Sequence, residues 1–385
     1  MHYLDNAATA RVLPEAAEAA VRAMCEGYGN PSSLHQMGRA AARLLEDCRQ
    51  TVATAMGCLP EETCFTSCGT ESANIALRGA AHLHRHKKGH IITTAIEHAA
   101  TLETVKALEQ QGFRVTRLAP DGHGHITADT LAGALTEDTV LLSCQLVNNE
   151  LGTVQPVAAL GALLKERCPG ALFHIDAVQG LARLRLTPAQ WRCDLMSVSG
   201  HKIGAPKGVG ALYIKKGLRL PPLTTGGGQE RAIRPGTEPL PAIAAFAKAC
   251  EIRMAHLDAD NAHVQALAAY LRERAAAALP YSGFSVPGDV PHIQSIVVDG
   301  CKSEVMLRIL SDEGVCVSAG SACSKGRQSA VLTAIGLPRA QSDCTLRVSF
   351  CPENTREDVD AFVAAVQKGA AMLRPSRPLQ HHRAE

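Results

Sequence analysis

Leu195-Met196-Ser197-Val198-Ser199-Gly200-His201-Lys202 runs from a mostly apolar strand straight into a polar, basic cluster. A lysine there, flanked by Ser199 and His201, is poorly explained as a solvated charge; desolvation would lower its pKa and leave an amine able to form a Schiff base. Just upstream the pattern repeats: Asp176 follows the apolar run 171–175 and needs a cation or a donor to offset its burial. From about 62 to 216 short apolar runs alternate with longer amphipathic ones. Strands are predicted at Thr63–Thr66, His90–Thr94, 113–118, 140–146, 172–175, 195–198 and Gly210–Ile214, with helices at 71–85, 101–110 and Val157–Arg167. Strands apolar on both faces, separated by helices, predict an α/β fold with a mainly parallel sheet covered by helices. Ligands of such sheets collect at the carboxyl ends of the strands, so the polar residues found there are the candidates for chemistry.

Further along, the Gly- and Pro-rich stretch 220–241 reads as too polar and broken to enter the core. Helical patterns over 243–279, then strands at 294–298, 315–318 and Thr345–Ser349 mixed with helices to about 373, predict a second, smaller α/β domain. A chain of 385 residues accommodates that division. The expected boundaries are a large domain at 13–245, a small domain from 1–12 and 246–374, and a flexible tail at 375–385.

Composition narrows the function. Lys and Arg number 39 against 37 Asp and Glu, and hydrophobic residues make up 46%, which excludes a disordered chain and gives no electrostatic reason to expect direct nucleic-acid binding. Aromatic residues at 3% argue against a base-stacking surface. No apolar run approaches the roughly 18–20 residues that span a bilayer, and Met1-His2-Tyr3-Leu4-Asp5-Asn6 lacks a basic-then-apolar leader. The expectation is a cytoplasmic protein with no membrane partner, its 14 scattered cysteines mostly free structural thiols. Cys64 and Cys68 lack a second pair at zinc-ribbon distance, so no metal is expected. His82, His84, His86 and His90, with Lys87 and Lys88, read as a solvated basic surface rather than a metal site. Cys316 reads as core.

Five clusters sit at or near predicted strand ends. Ser67-Cys68-Gly69-Thr70-Glu71-Ser72 is a glycine turn into a helix, suited to a phosphate or to a plain N-cap. Glu97-His98 follows the strand at 90–94. Val147-Asn148-Asn149-Glu150 offers two amides that can hold a carboxylate or a phenolic oxygen, and that equally suit a turn. Asp176-Ala177-Val178-Gln179 and Ser199-Gly200-His201-Lys202 complete the set. Each is weak alone. Together they supply what pyridoxal 5'-phosphate requires: an amine for its aldehyde, a carboxylate for its ring nitrogen, a helix start for its phosphate and a face to stack on.

With these clusters, Leu4-Asp5-Asn6-Ala7-Ala8-Thr9, Gly29-Asn30-Pro31-Ser32-Ser33-Leu34-His35 and Gly320-Ser321-Ala322-Cys323 resemble the cysteine desulfurases of the NifS/IscS type, in order from Tyr3 to about Val366. These belong to the class-V aminotransferase family of fold-type I pyridoxal-phosphate enzymes. The resemblance implies a homodimer that converts L-cysteine to L-alanine, leaves a persulfide on its own cysteine, and passes that sulfur to an acceptor protein, an iron–sulfur scaffold or a tRNA-thiolation enzyme. It makes Lys202 the Schiff-base lysine, Asp176 the partner of the ring nitrogen, His98 the stacking residue and Gln179 a partner of the ring's phenolic oxygen. Gly69, Thr70, Ser199 and His201 would hold the phosphate, with Thr237 reaching in from the other subunit. Asn149 and Arg347 would fix the substrate carboxylate, and Cys323 would accept the sulfur; Lys325 and Arg327 nearby favour its thiolate. Cys68, Pro235 and Ile203-Gly204-Ala205-Pro206 depart from the family's usual residues. A selenocysteine lyase, or another C–S lyase or aminotransferase using the same cofactor, remains open on the sequence. Intact Lys202 and Asp176 argue against a catalytically idle scaffold.

Overall fold

In the computed structural model, which describes residues 1–86, 88–319 and 328–373, the apolar runs become strands. In chain order these are β1 (His2–Tyr3), β2 (Thr63–Thr66), β3 (His90–Thr94), β4 (Arg114–Leu118), β5 (Thr139–Gln145) and β6 (Leu172–Asp176). They continue with β7 (Leu195–Ser199), β8 (Gly210–Ile214), β9 (Ser282–Phe284), β10 (Ile293–Val298), β11 (Val315–Cys316) and β12 (Thr345–Ser349). Seven form one sheet in the order β2-β8-β7-β6-β5-β3-β4, parallel except for β8, which runs antiparallel to both β7 and β2. Successive side chains serve opposite faces. Phe65, Ile92 and Leu142 enter one apolar core, while their neighbours Cys64, Ile91 and Leu141 enter another on the far side. Burying an apolar side chain of this size contributes about 1.5–3 kcal/mol, so a sheet covered on both faces gains from adjacent apolar residues such as Ile91 and Ile92 of β3 and Leu141 and Leu142 of β5.

Helix Leu240–Ala255 is apolar nearly all round and packs on helices Pro14–Cys25 and Gln36–Met56 beside this sheet. A separate core, with Leu4, Ile296, Val348 and Phe362, lies around the antiparallel sheet β12-β10-β9 and helices Leu257–Ala278, Ser303–Asp312 and Arg356–Leu373. β1 pairs in parallel with β11, and Asp5 bridges to Ser349, so the first residues are tied to this second core. No helix among the described residues is long and apolar enough to cross a membrane.

Three expectations are corrected. The stretch 220–241 does enter the core: Leu220 and Glu230 are buried. Glu230 meets the buried Arg49 through two bonds of 2.7 and 2.8 Å and also accepts from Phe65 N at 2.7 Å. This pair holds a backbone that turns left-handed at three consecutive non-glycine residues, with φ of 45°, 56° and 60° at Glu230, Arg231 and Ala232. His90 is no part of a solvated surface, since its ring is fully buried against the hydroxyls of Thr116, Thr136 and Thr139. Cys316 is half-buried rather than core. Lys87, the segment around Cys323 (320–327) and the tail expected at 375–385 lie outside the described residues.

Candidate active site

The carboxyl ends of β3, β5, β6 and β7 surround a cavity of about 440 Å³, closed on another side by Ala7 and Ala8 of the N-terminal segment and by Arg347 of β12. Lys202 ends the turn Gly200–Lys202 that follows β7, and its Nζ donates to Ala7 O and Ala8 O, both at 2.8 Å. Those carbonyls aim the amine at the cavity.

Asp176 is the last residue of β6 and is 8% exposed. Its Oδ1 accepts from Val178 N at 3.0 Å. Burial pushes its carboxyl above the usual range, and the Val178 bond together with the charges of His98 and Lys202 pulls it back. His98 caps helix Ala99–Gln110, with Nδ1 accepting from Ala100 N at 3.1 Å. That bond explains why the helix starts at Ala99, earlier than predicted, and it leaves Nε2 as the ring's donor. Gln179 donates from Nε2 to Ala7 O at 2.9 Å. His201 Nδ1 lies 3.2 Å from Thr9 Oγ1, and burial, reinforced by Lys202 and Lys207, pushes its pKa down to about 4, so its ring is neutral.

At the other end, helix Gly69–Leu83 begins after Cys68, which is extended and provides no side-chain cap. Thr70 stands exposed on its first turn. The helix's first N–H groups are therefore available to an anion, and its dipole favours one. A Cβ on Gly69 would stand 2.8 Å from Val178 Cγ2, so glycine keeps this cradle open. Ser199 Oγ, beside Gly69, is buried with no partner among the described residues.

Asn148 spends its amide on the turn, accepting from Glu150 N and Leu151 N and donating to Ile96 O. Asn149 lines the cavity, and its carbonyl accepts from Arg347 Nη1 at 2.8 Å. Arg347 is 3% exposed and is held by Asp5 Oδ1 at 2.8 Å from Nη2. A surface arginine is excluded.

The cavity thus gathers Lys202, His98, Gly69, Thr70, Asp176, Gln179, Ser199, His201, Asn149 and Arg347. Thr237 is exposed and is not among its lining residues; its loop is tied to the cradle helix by Arg234 Nε–Glu71 Oε1 at 3.1 Å. Cys323 lies outside the described residues. Asp5, Glu97 and Glu150 went without a role in the sequence reading. Asp5 and Glu97 stand inside motifs quoted for other residues, and Glu150 follows Asn149 directly.

Residues 2–362 match the family model described as Aminotransferase class-V. A cysteine desulfurase of Trichormus azollae is 40% identical over 99% of this chain and 96% of its own length. The chain belongs to this family, among the cysteine desulfurases of the NifS/IscS type. The cysteine desulfurase IscS of Methanosarcina thermophila is 38% identical, covering 98% of this chain and 94% of the relative. A solved NifS-like protein superposes with a TM-score of 0.91 at 36% identity, covering 96% of this chain and 99% of that one. A structure titled SspA in complex with cysteine gives 0.81 at 32% identity, covering 92% and 100%. Cysteine desulfurases carry pyridoxal 5'-phosphate. The uncapped helix start, the unpartnered Ser199 hydroxyl, a carboxylate 8% exposed and a lysine amine on one cavity are the donor set that this group requires.

Proposed function

We propose that this desulfurase converts L-cysteine to L-alanine and takes the sulfur onto Cys323 as a persulfide. The observation that carries the proposal is that Lys202, Asp176 and His98 line the same cavity as a buried, oriented Arg347. Gly69, Thr70, Ser199 and His201 would hold the cofactor phosphate, Asp176 the ring nitrogen, Gln179 the phenolic oxygen, His98 the ring face and Lys202 the aldehyde carbon. When bound, the cofactor supplies an electron sink for the carbon that loses its proton.

The chain's own residues do the rest. Arg347, with Asn149, orients the substrate carboxylate. Lys202 Nζ moves the proton at the substrate's Cα, positioned by the carbonyls of Ala7 and Ala8. The Cys323 thiolate attacks the substrate sulfur; the Cβ–Sγ bond breaks, its electron pair stays with carbon, and a proton completes the methyl group of alanine. An external thiol or the acceptor protein then removes the outer sulfur by exchange.

The acceptor in this proposal is an iron–sulfur scaffold or a tRNA-thiolation enzyme, and the working unit is a homodimer in which Thr237 reaches the partner's phosphate. The division into 13–245 and 1–12 with 246–374 belongs to the same proposal. A cytoplasmic location rests on the dispersed thiols of the sequence. Incubation with L-cysteine should yield alanine, with the extra sulfur mapped by mass spectrometry to Cys323. Cys323→Ala should lose sulfide release with dithiothreitol and keep the cofactor's visible absorbance. Full activity in that variant, or a borohydride-trapped cofactor at any residue other than Lys202, overturns the assignment.

A further inference from the structure

Two carboxyls line the cavity without a part in the reaction above, Glu97 and Glu150. Glu150 is accounted for: the hydroxyl of Ser329 lies 2.5 Å from its Oε2, and the charge of Arg347 acts on it. Glu97 is different. It is 4% exposed, and its Oε1 accepts from Thr94 Oγ1 at 2.7 Å and from Gln145 N at 2.9 Å. Its Oε2 is buried with no partner among the described residues.

The setting makes a charge there costly. Gln145, which donates to Glu97, is the register partner of Asp176 on the neighbouring strand, so the two acids flank one position of the sheet. The charged or titratable groups acting on either acid are Cys144 on β5, His98 beside Glu97 in the chain, and Lys202 after β7. His98 and Lys202 act on Asp176; among the described residues no cation acts on Glu97, and the charge of Asp176 acts on it repulsively. Two carboxylates so placed cannot both ionise cheaply, and the one on which the Lys202 amine acts is favoured as the charged partner.

We propose that Glu97 is a positioning residue, a neutral acid whose protonated Oε2 leaves Asp176 as the single carboxylate presented to the cofactor's ring nitrogen. The proposal rests on the reading of Asp176 given above. Burial, with the charge of Asp176 added to it, pushes Glu97 up to about 8. Below that pH the ring nitrogen meets one negative charge; above it a second appears beside Asp176 and strengthens proton binding at the ring.

The test is infrared spectroscopy of the holoenzyme across pH, wild type against Glu97→Gln, run beside a titration of the cofactor's visible absorbance. At neutral pH the wild type should show a protonated-carboxyl band that the variant lacks and that disappears with a midpoint near 8. The visible titration should show a step at the same midpoint, absent in Glu97→Gln. Glu97→Ala, which leaves Thr94 and Gln145 without their acceptor, should bind cofactor about tenfold more weakly, and Gln should restore that binding. A wild type without the band at neutral pH overturns the proposal, as does a visible step that survives in Glu97→Gln. The wild-type band requires no variant to fold. Should the protein bind no cofactor, the reading of Asp176 fails, while the band in the apoprotein still decides the state of Glu97.

Discussion

The polar groups inside the strands and at their amino ends differ from those at the carboxyl ends. The His174 ring, within β6, is closed off between Ser143 Oγ at 2.8 Å and Ser197 Oγ at 2.9 Å. His90 begins β3 among three threonine hydroxyls, and Glu230 closes on Arg49 beside the start of β2. At the carboxyl ends, Thr93 Oγ1, Glu97 Oε2 and Ser199 Oγ are buried with no partner among the described residues. Buried polar atoms are usually satisfied where they serve only the fold, so Glu97 Oε2 and Ser199 Oγ, whose residues both line the cavity, point to a bound group there. One end contributes stability and the other retains unmet bonding capacity.

Substitutions can break that contrast. The largest effect is expected for Lys202→Ala, which should lower alanine formation by about 10²–10⁴-fold while leaving the melting temperature unchanged or raised. A parallel loss of stability would mean that the amine serves the fold. Glu230→Ala should do the opposite and lose about 3–5 kcal/mol in denaturant titration, because Arg49 is left charged and buried. Next comes His174→Ala, at about 2–4 kcal/mol from a cavity and two unpaired serines, with the residual folded enzyme active. Ser199→Ala should leave the apoprotein's stability unaltered and weaken cofactor binding by about tenfold or more, measured by equilibrium titration. Destabilised apoprotein would show that its hydroxyl is satisfied after all.

The smallest effect, per step, is in acid. Burial pushes His174 down to about 3 from an ordinary 6.5, so between these values the unfolded chain binds a proton that the folded chain does not. Stability therefore falls as the pH drops through that window, by about 1.4 kcal/mol per pH unit from this residue, and His174→Gln should flatten the slope.

Much of this was legible in the chain. β2, β3, β8, β12 and helix Val157–Arg167 have the limits predicted from their apolar runs. Asp176 and Lys202 stood out for the same reason. β1 and β9, at two and three residues, are too short to show a period. The stretch 220–241 misled because its core contact is an ion pair: Glu230 looks solvated until Arg49, far away in sequence, is placed beside it. The hold of Asp5 on Arg347 was hidden likewise, since its two residues come from opposite ends of the chain.

The place of β8 has a consequence for how the chain is made. Among the described residues β2 hydrogen-bonds to no other strand in the large sheet, so the segment leading into helix Gly69–Leu83 has no strand partner until Gly210–Ile214 leaves the ribosome. At about 5–20 residues per second that wait is on the order of ten seconds. Nascent chains arrested before this strand emerges should expose Cys64 and Cys68 to thiol reagents, and a few dozen further codons should silence Cys64 first.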